Sequence, residues 1–112
     1  MYVYKKLVCD ENTIKNKGKI LRKIKYHGGL TTTYVIALAT SNDLFDLIPG
    51  YVFKQKVYPV KDLYVMGLAD SYDSALELTT KMVERFSKIY GTYSFKENLL
   101  EEVEENFKKY GK

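Results

Sequence analysis

The chain holds one cysteine, one histidine, two prolines and no tryptophan in 112 residues. Each shortage excludes something. A single cysteine, Cys9, cannot build an internal disulfide framework and fits a reducing, cytoplasmic setting. One Cys and one His, with no HxxxH, CxxC or calcium-loop spacing, would leave a zinc site dependent on carboxylates. No metal and no cofactor is therefore expected. No stretch approaches the roughly 18 uninterrupted apolar residues of a membrane span. Residues 1–6 place their lysines after the apolar residues rather than before a long apolar run, unlike a secretory leader. No internal repeat and no low-complexity segment is visible, so residues 1–112 read as a single domain.

Catalytic groupings are equally scarce. Cys9 and His27 are the only thiol and imidazole. Cys9 lies in an alternating apolar run, where cysteine usually serves as a small core residue. His27, beside Gly28 and Gly29, reads as a helix end or turn residue. The acidic pairs Asp43/Asp46 and Asp70/Asp73 fall at turns, as acidic pairs commonly do. No catalytic residue is assigned, and the chain reads as non-enzymatic.

What is present begins with residues 63–69, Leu-Tyr-Val-Met-Gly-Leu-Ala. This short, nearly continuous apolar run suits a strand covered on both faces. Gly67 inside it suggests another element passing close to the backbone. Polarity then switches, and Asp70 or Ser71 is placed to cap a helix. Ala75, Leu78, Met82, Phe86 and Ile89 form one helical row, widened by Leu76, Val83 and Tyr90. Glu77/Lys81 and Glu84/Lys88 sit at the favourable i,i+4 spacing, and Gly91 ends the helix. A strand feeding a helix N-terminus often binds phosphate. Here the turn lacks a glycine-rich pattern, and Asp70 and Asp73 supply negative charge, so a structural cap is the expected role. The stretch 63–83, LYVMGLADSYDSALELTTKMV, resembles segments of small uncharacterised bacterial proteins of the Gram-positive anaerobe type. A looser likeness reaches back to residue 34 through YVIAL and LFDLIPGYVFKQK. The resemblance implies one compact α+β domain and carries no activity with it.

Upstream, residues 2–9 read as a strand with Val3, Leu7 and Cys9 on one face and Tyr2, Tyr4 and Val8 on the other. Lys5 and Lys6 suit an edge position. Residues 13–26 read either as a helix, with Asn12 as its cap and His27-Gly28-Gly29 as its end, or as a strand turning at Gly28-Gly29; the helix is favoured. Residues 32–39 read as a strand, and 44–48 as its hairpin return or the start of a short helix at Pro49. Ser94 and Glu97 form a capping-box pattern opening a last helix to about residue 109, with Phe95, Leu99, Val103 and Phe107 on one stripe. The fold class expected is α+β: a mainly antiparallel sheet with helices on one face. A ferredoxin-like β-α-β-β-α-β core with an added C-terminal helix is the topology this order suggests.

Charge and aromatics supply the functional leads. Residues 1–56 carry ten Lys/Arg against four Asp/Glu, and residues 57–112 eight against ten. Lys15, Lys19, Arg22, Lys23 and Lys25 make segment 13–27 basic, which points to phosphate contacts with nucleic acid. A solvated helix face is the plainer account of the same residues. Eleven tyrosines are many for this length. Tyrosine favours interfaces because it offers large area and a polar tip. Tyr51, Tyr58, Tyr93 and Tyr110, near turns and ends, are the candidate interface residues. The function expected is protein–protein association, including a homodimer, with nucleic-acid binding through 13–27 as the alternative and no membrane partner.

Overall fold

The structure is a computed structural model that describes residues 1–30 and 32–111. Its strands are β1 (Tyr2–Cys9), β2 (Tyr34–Leu38), β3 (Phe45–Pro49), β4 (Tyr64–Ala69) and β5 (Phe107–Lys109). Its α-helices are α1 (Lys17–Lys25), α2 (Tyr72–Tyr90), α3 (Phe95–Glu101) and α4 (Val103–Asn106). The protein is α+β: one mixed five-stranded sheet in the order β3-β2-β4-β1-β5, flanked by helices. Three strand pairs are antiparallel, and β1–β4 at the centre is parallel.

Alternation along the strands builds two cores. Val3, Leu7, Val35, Ala37, Val65 and Leu68 face α1, which docks Ile20, Leu21 and Ile24 upon them. Tyr4, Ile36, Leu38, Met66 and Ala69 face the other way, under Ala75, Met82 and Phe86 of α2 and Phe95 and Leu99 of α3. Helices thus cover both faces, not one as expected from the order of elements. The reason lies in β4, whose consecutive residues 65–69 are all buried and need a cover on each side. The register of β2 on β4 shifts between Ile36↔Gly67 and Ala37↔Val65, a bulge that keeps Val65 with Leu68 and Met66 with Ala69. The ferredoxin-like arrangement is met only in part. The chain adds β3 at one edge, pairs β1 and β4 in parallel, and puts α1 opposite α2.

The helix favoured for 13–26 is found over residues 14–25, a 3-10 turn at Ile14–Asn16 running into α1. Nine residues are too few for a helix to stand alone in water, so docking of its three buried residues holds α1 in place. Asn12 is not its cap; Asp10 takes the Thr13 N–H instead, at 2.9 Å. The C-terminus closes through His27 in the left-handed region (φ 59°), with Gly28 N–H donating to the Lys23 carbonyl at 2.7 Å. β1 keeps the expected faces but is not an edge strand, since β5 flanks it. Residues 44–48 do form the hairpin return, as β3. A short 3-10 helix, Gly50–Lys54, follows Pro49. On α2, Ser71 caps by accepting the Ser74 N–H, while Ile89, expected in the apolar row, is 60% exposed.

The largest departure is at the C-terminal end. The helix expected from residue 94 to 109 breaks at Glu102 (φ −120°, ψ 56°), resumes as α4 and gives way to β5. Ser94 makes no capping bond. Glu101, Glu102, Glu104 and Glu105 crowd like charge at adjacent and i,i+4 positions, which weakens a continuous helix. Phe107 meanwhile gains a buried seat against Tyr4 and Tyr64, with ring centroids 5.9 and 5.0 Å away.

Candidate functional site

β1 and β4 lie side by side and run the same way, yet the chain leaves β1 for α1 on one face and β4 for α2 on the other. Diverging connections from neighbouring parallel strands open a crevice beyond their carboxyl ends. In this chain the residues just past those ends are Asp10 and Asp70.

Asp10 is the hub. Its Oδ1 accepts from the Thr13 N–H at 2.9 Å and the Thr13 hydroxyl at 2.7 Å. Its Oδ2 accepts from the Asp70 N–H at 2.8 Å and the Ser74 hydroxyl at 2.7 Å. Burial pushes the Asp10 carboxyl up, but these hydrogen bonds outweigh it and hold the group well below the usual carboxylate range. The Thr13 hydroxyl also reaches the Leu68 carbonyl at 3.0 Å. Ser71 takes the Ser74 N–H at 3.1 Å, so the turn into α2 is closed by its own side chains. Asp70 in turn accepts from the Asn12 amide.

A crevice of about 290 Å³ opens beside this hub. Lys19 and Lys23 of α1 line it, with Asn12 and Asn16 ahead of the helix and Asp70 beyond β4. Gly29, Thr32 and Thr33 also line it. A second groove, of about 540 Å³, lies between α1, β1 and β5. Val3, Leu7 and Leu21 give it an apolar floor, and Lys5, Lys17, Lys108 and Lys109 stand around it. Lys5 Nζ donates to the Glu104 carbonyl at 2.8 Å. Among the described residues the one ion pair is Lys81–Glu77, on α2, so no lysine of either groove is paired with a carboxylate.

The basic segment therefore divides. Lys19 and Lys23 meet in the crevice; Lys15 and Arg22 are exposed; Lys25 lies half-buried near Gly111. Of the candidate interface tyrosines, Tyr51 and Tyr93 are exposed. Tyr58 packs edge-on against Phe53 at 5.0 Å, and Tyr110 joins the α1-side core while lining the larger groove. His27 Nδ1 bonds to the Phe53 carbonyl at 2.9 Å, and Cys9 packs into the α1-side core. Burial pushes the Cys9 thiol up, with nearby Thr13 and Lys17 acting against it. Sequence reasoning missed Asp10, whose Asp-x-x-Thr spacing is a turn signal. It also missed Lys108 and Lys109, assigned to a helix.

Among the described residues no three His, Cys, Asp or Glu side chains gather as a metal site requires, and no helix is long and apolar enough to cross a membrane. Comparison with known protein families, with curated proteins and with solved structures gave no match.

Proposed function

We propose that the protein works by association rather than catalysis, in a cytoplasmic setting, and takes a protein partner on the groove between α1, β1 and β5. The observation that supports this is the combination of an apolar floor (Val3, Leu7, Leu21) with four lysines that have no carboxylate partner among the described residues. An apolar anchor residue fills such a floor, and flanking carboxylates meet the lysines, which steers encounter and sets orientation. Tyr110 extends the floor with a ring and a hydroxyl. Self-association is one form of this reading, since residues 101–105 carry four glutamates that a second copy offers to the lysines.

The test uses a labelled peptide alternating Glu and Leu, with a Gln-for-Glu counterpart, followed by anisotropy at two salt concentrations. Light scattering runs alongside. Binding of the acidic peptide, lost in Lys108→Glu/Lys109→Glu, supports the reading. Equal binding of both peptides, or indifference to the two substitutions, overturns it. A monomer at high concentration removes the homodimer form.

A second reading, nucleic-acid binding through Lys15, Lys19, Arg22, Lys23 and Lys25, is favoured by the solvent exposure of Lys15, Lys19 and Arg22, which form no ion pair among the described residues. It requires salt-dependent binding of an oligonucleotide that falls in Arg22→Glu/Lys23→Glu.

A further inference from the structure

We propose that the crevice at the β1/β4 split binds a small hydroxylated phosphoester of the sugar-phosphate class. This does not rest on the protein-association groove, which lies along a different side of α1. Four observations converge on it.

The first is topological. A pair of parallel strands whose connections diverge to opposite faces leaves a place for a ligand outside their carboxyl ends, and this sheet has one such pair.

The second is charge. Lys19 and Lys23, one turn apart on α1, bring two cationic side chains to the lining of the same crevice, and neither has a carboxylate partner among the described residues. Lys23 is half-buried, and its stem lies against Gly28 so closely that a Cβ there would stand 3.0 Å from Lys23 Cγ. The glycine leaves room for the stem, and the Gly28 N–H to Lys23 carbonyl bond of 2.7 Å fixes the backbone beneath it.

The third is the carboxylate of Asp70, which lines the same crevice. Asp70 engages Asn12 through Oδ2, and among the described residues no donor reaches Oδ1. The Asp70 backbone is held by Asp10 and its Oδ2 by Asn12, which leaves Oδ1 as the open acceptor. A carboxylate accepts from hydroxyls and repels phosphate, whereas the lysines do the reverse. The site thus has an anion-binding end at the lysines and a hydroxyl-binding end at Asp70, and Asn16 and Thr33 also line it. Inorganic phosphate alone satisfies one end and a neutral sugar the other; a sugar phosphate satisfies both.

The fourth is size. At about 290 Å³ the crevice is at the small limit of ligand pockets, roughly 300–1,000 Å³. It suits a pentose phosphate rather than a dinucleotide.

The test is a 1H–15N NMR titration of the full chain with ribose 5-phosphate, ribose, inorganic phosphate and a short RNA oligonucleotide. Saturable shifts of the Gly29, Thr33 and Asp70 amides with ribose 5-phosphate are expected. Ribose and phosphate alone should bind more weakly by about tenfold or more. Lys19→Met and Lys23→Met keep the aliphatic stems; each should weaken binding by about tenfold, and the exposed Lys19 variant guards against a folding defect in the other. No saturable shift, binding in both variants as tight as in the native chain, or shifts spread over Lys5 and Lys108 as well overturn the proposal. Tighter binding of the RNA at the same amides also overturns it, because the crevice is then a subsite for a nucleic-acid backbone.

Discussion

The Asp70 N–H donates to the Asp10 carboxylate at 2.8 Å, joining the ends of two parallel strands just before the chain departs for opposite faces. One side chain thus anchors the start of both helical connections, through Thr13 on one side and Ser74 on the other. Replacing Asp10 with Ala should cost about 2–3 kcal/mol, because charge-assisted bonds are lost and their donors are left without an ionised acceptor. Chemical denaturation at neutral pH measures this.

The same group makes stability fall in acid. Its folded pKa is depressed below the ordinary value of 3.8, so the unfolded chain takes up the proton first. The contribution is fully present above pH 3.8 and is lost as pH falls from there through the folded value. The denaturation midpoint of the native protein should therefore drop between neutral pH and pH 3 more than that of Asp10→Asn. Parallel curves for the two proteins would contradict the assignment.

His27 is the one described non-glycine residue at positive φ, and it occupies the left-handed position that closes α1. That conformation costs an L-residue roughly 1–2 kcal/mol. Its Nδ1 must carry a hydrogen, since the Phe53 carbonyl 2.9 Å away only accepts. Ala at 27 loses this bond and keeps the strain; Gly loses the bond and relieves the strain. The Gly variant should be more stable than the Ala variant by about 1 kcal/mol and close to the native protein. Thermal melts of the three give the comparison directly.

Two glycine-to-alanine changes should have opposite signs. At Gly67 a Cβ would meet the Val8 carbonyl oxygen at 2.8 Å and Ile36 Cδ1 at 3.2 Å. The oxygen belongs to the β1 backbone paired with Gly67, so it cannot withdraw without opening the central ladder. Gly67→Ala should destabilise by about 1–3 kcal/mol. At Gly18, inside α1, a Cβ meets nothing within 4 Å. There alanine should stabilise by about 0.5–1 kcal/mol through helix propensity.

Much of this architecture is legible in local pattern. The alternation of β1, the apolar run of β4, the close approach at Gly67 and the Ser71 cap each depend on a few adjacent residues, and each is found. The apolar run of β4 even required cover on both faces, a demand that outranked the order of elements when α1 took the second face. What local pattern cannot carry is pairing between distant segments. Whether β1 and β4 run parallel depends on where intervening helices pass, and Phe107 reads as a helix position until Tyr4 and Tyr64 stand beside it. The crevice shows the same division. Lys19 and Lys23 stand out in the basic segment, but Asp70 and Thr33 reach them only through the strand order.

Lys96 tests one such distant link. From α3 its ammonium donates to the carbonyls of Ala39 at 3.1 Å, Ser41 at 2.6 Å and Asp43 at 2.7 Å, which wrap the tip of the β2–β3 hairpin. Three donors meet three acceptors, and no other side chain type offers three rotatable donors on a long stem. Lys96→Met preserves the stem and removes the bonds. Ser41 and Asp43 are exposed, so their carbonyls recover water. The global cost should be modest for that reason, about 1–2 kcal/mol. The local effect should be larger: the Ala39 N–H, which donates to the Leu44 carbonyl at 3.1 Å, should lose exchange protection while amides of α1 on the opposite face keep theirs. A uniform loss across both regions would mean that Lys96 supports the whole fold rather than pinning the hairpin.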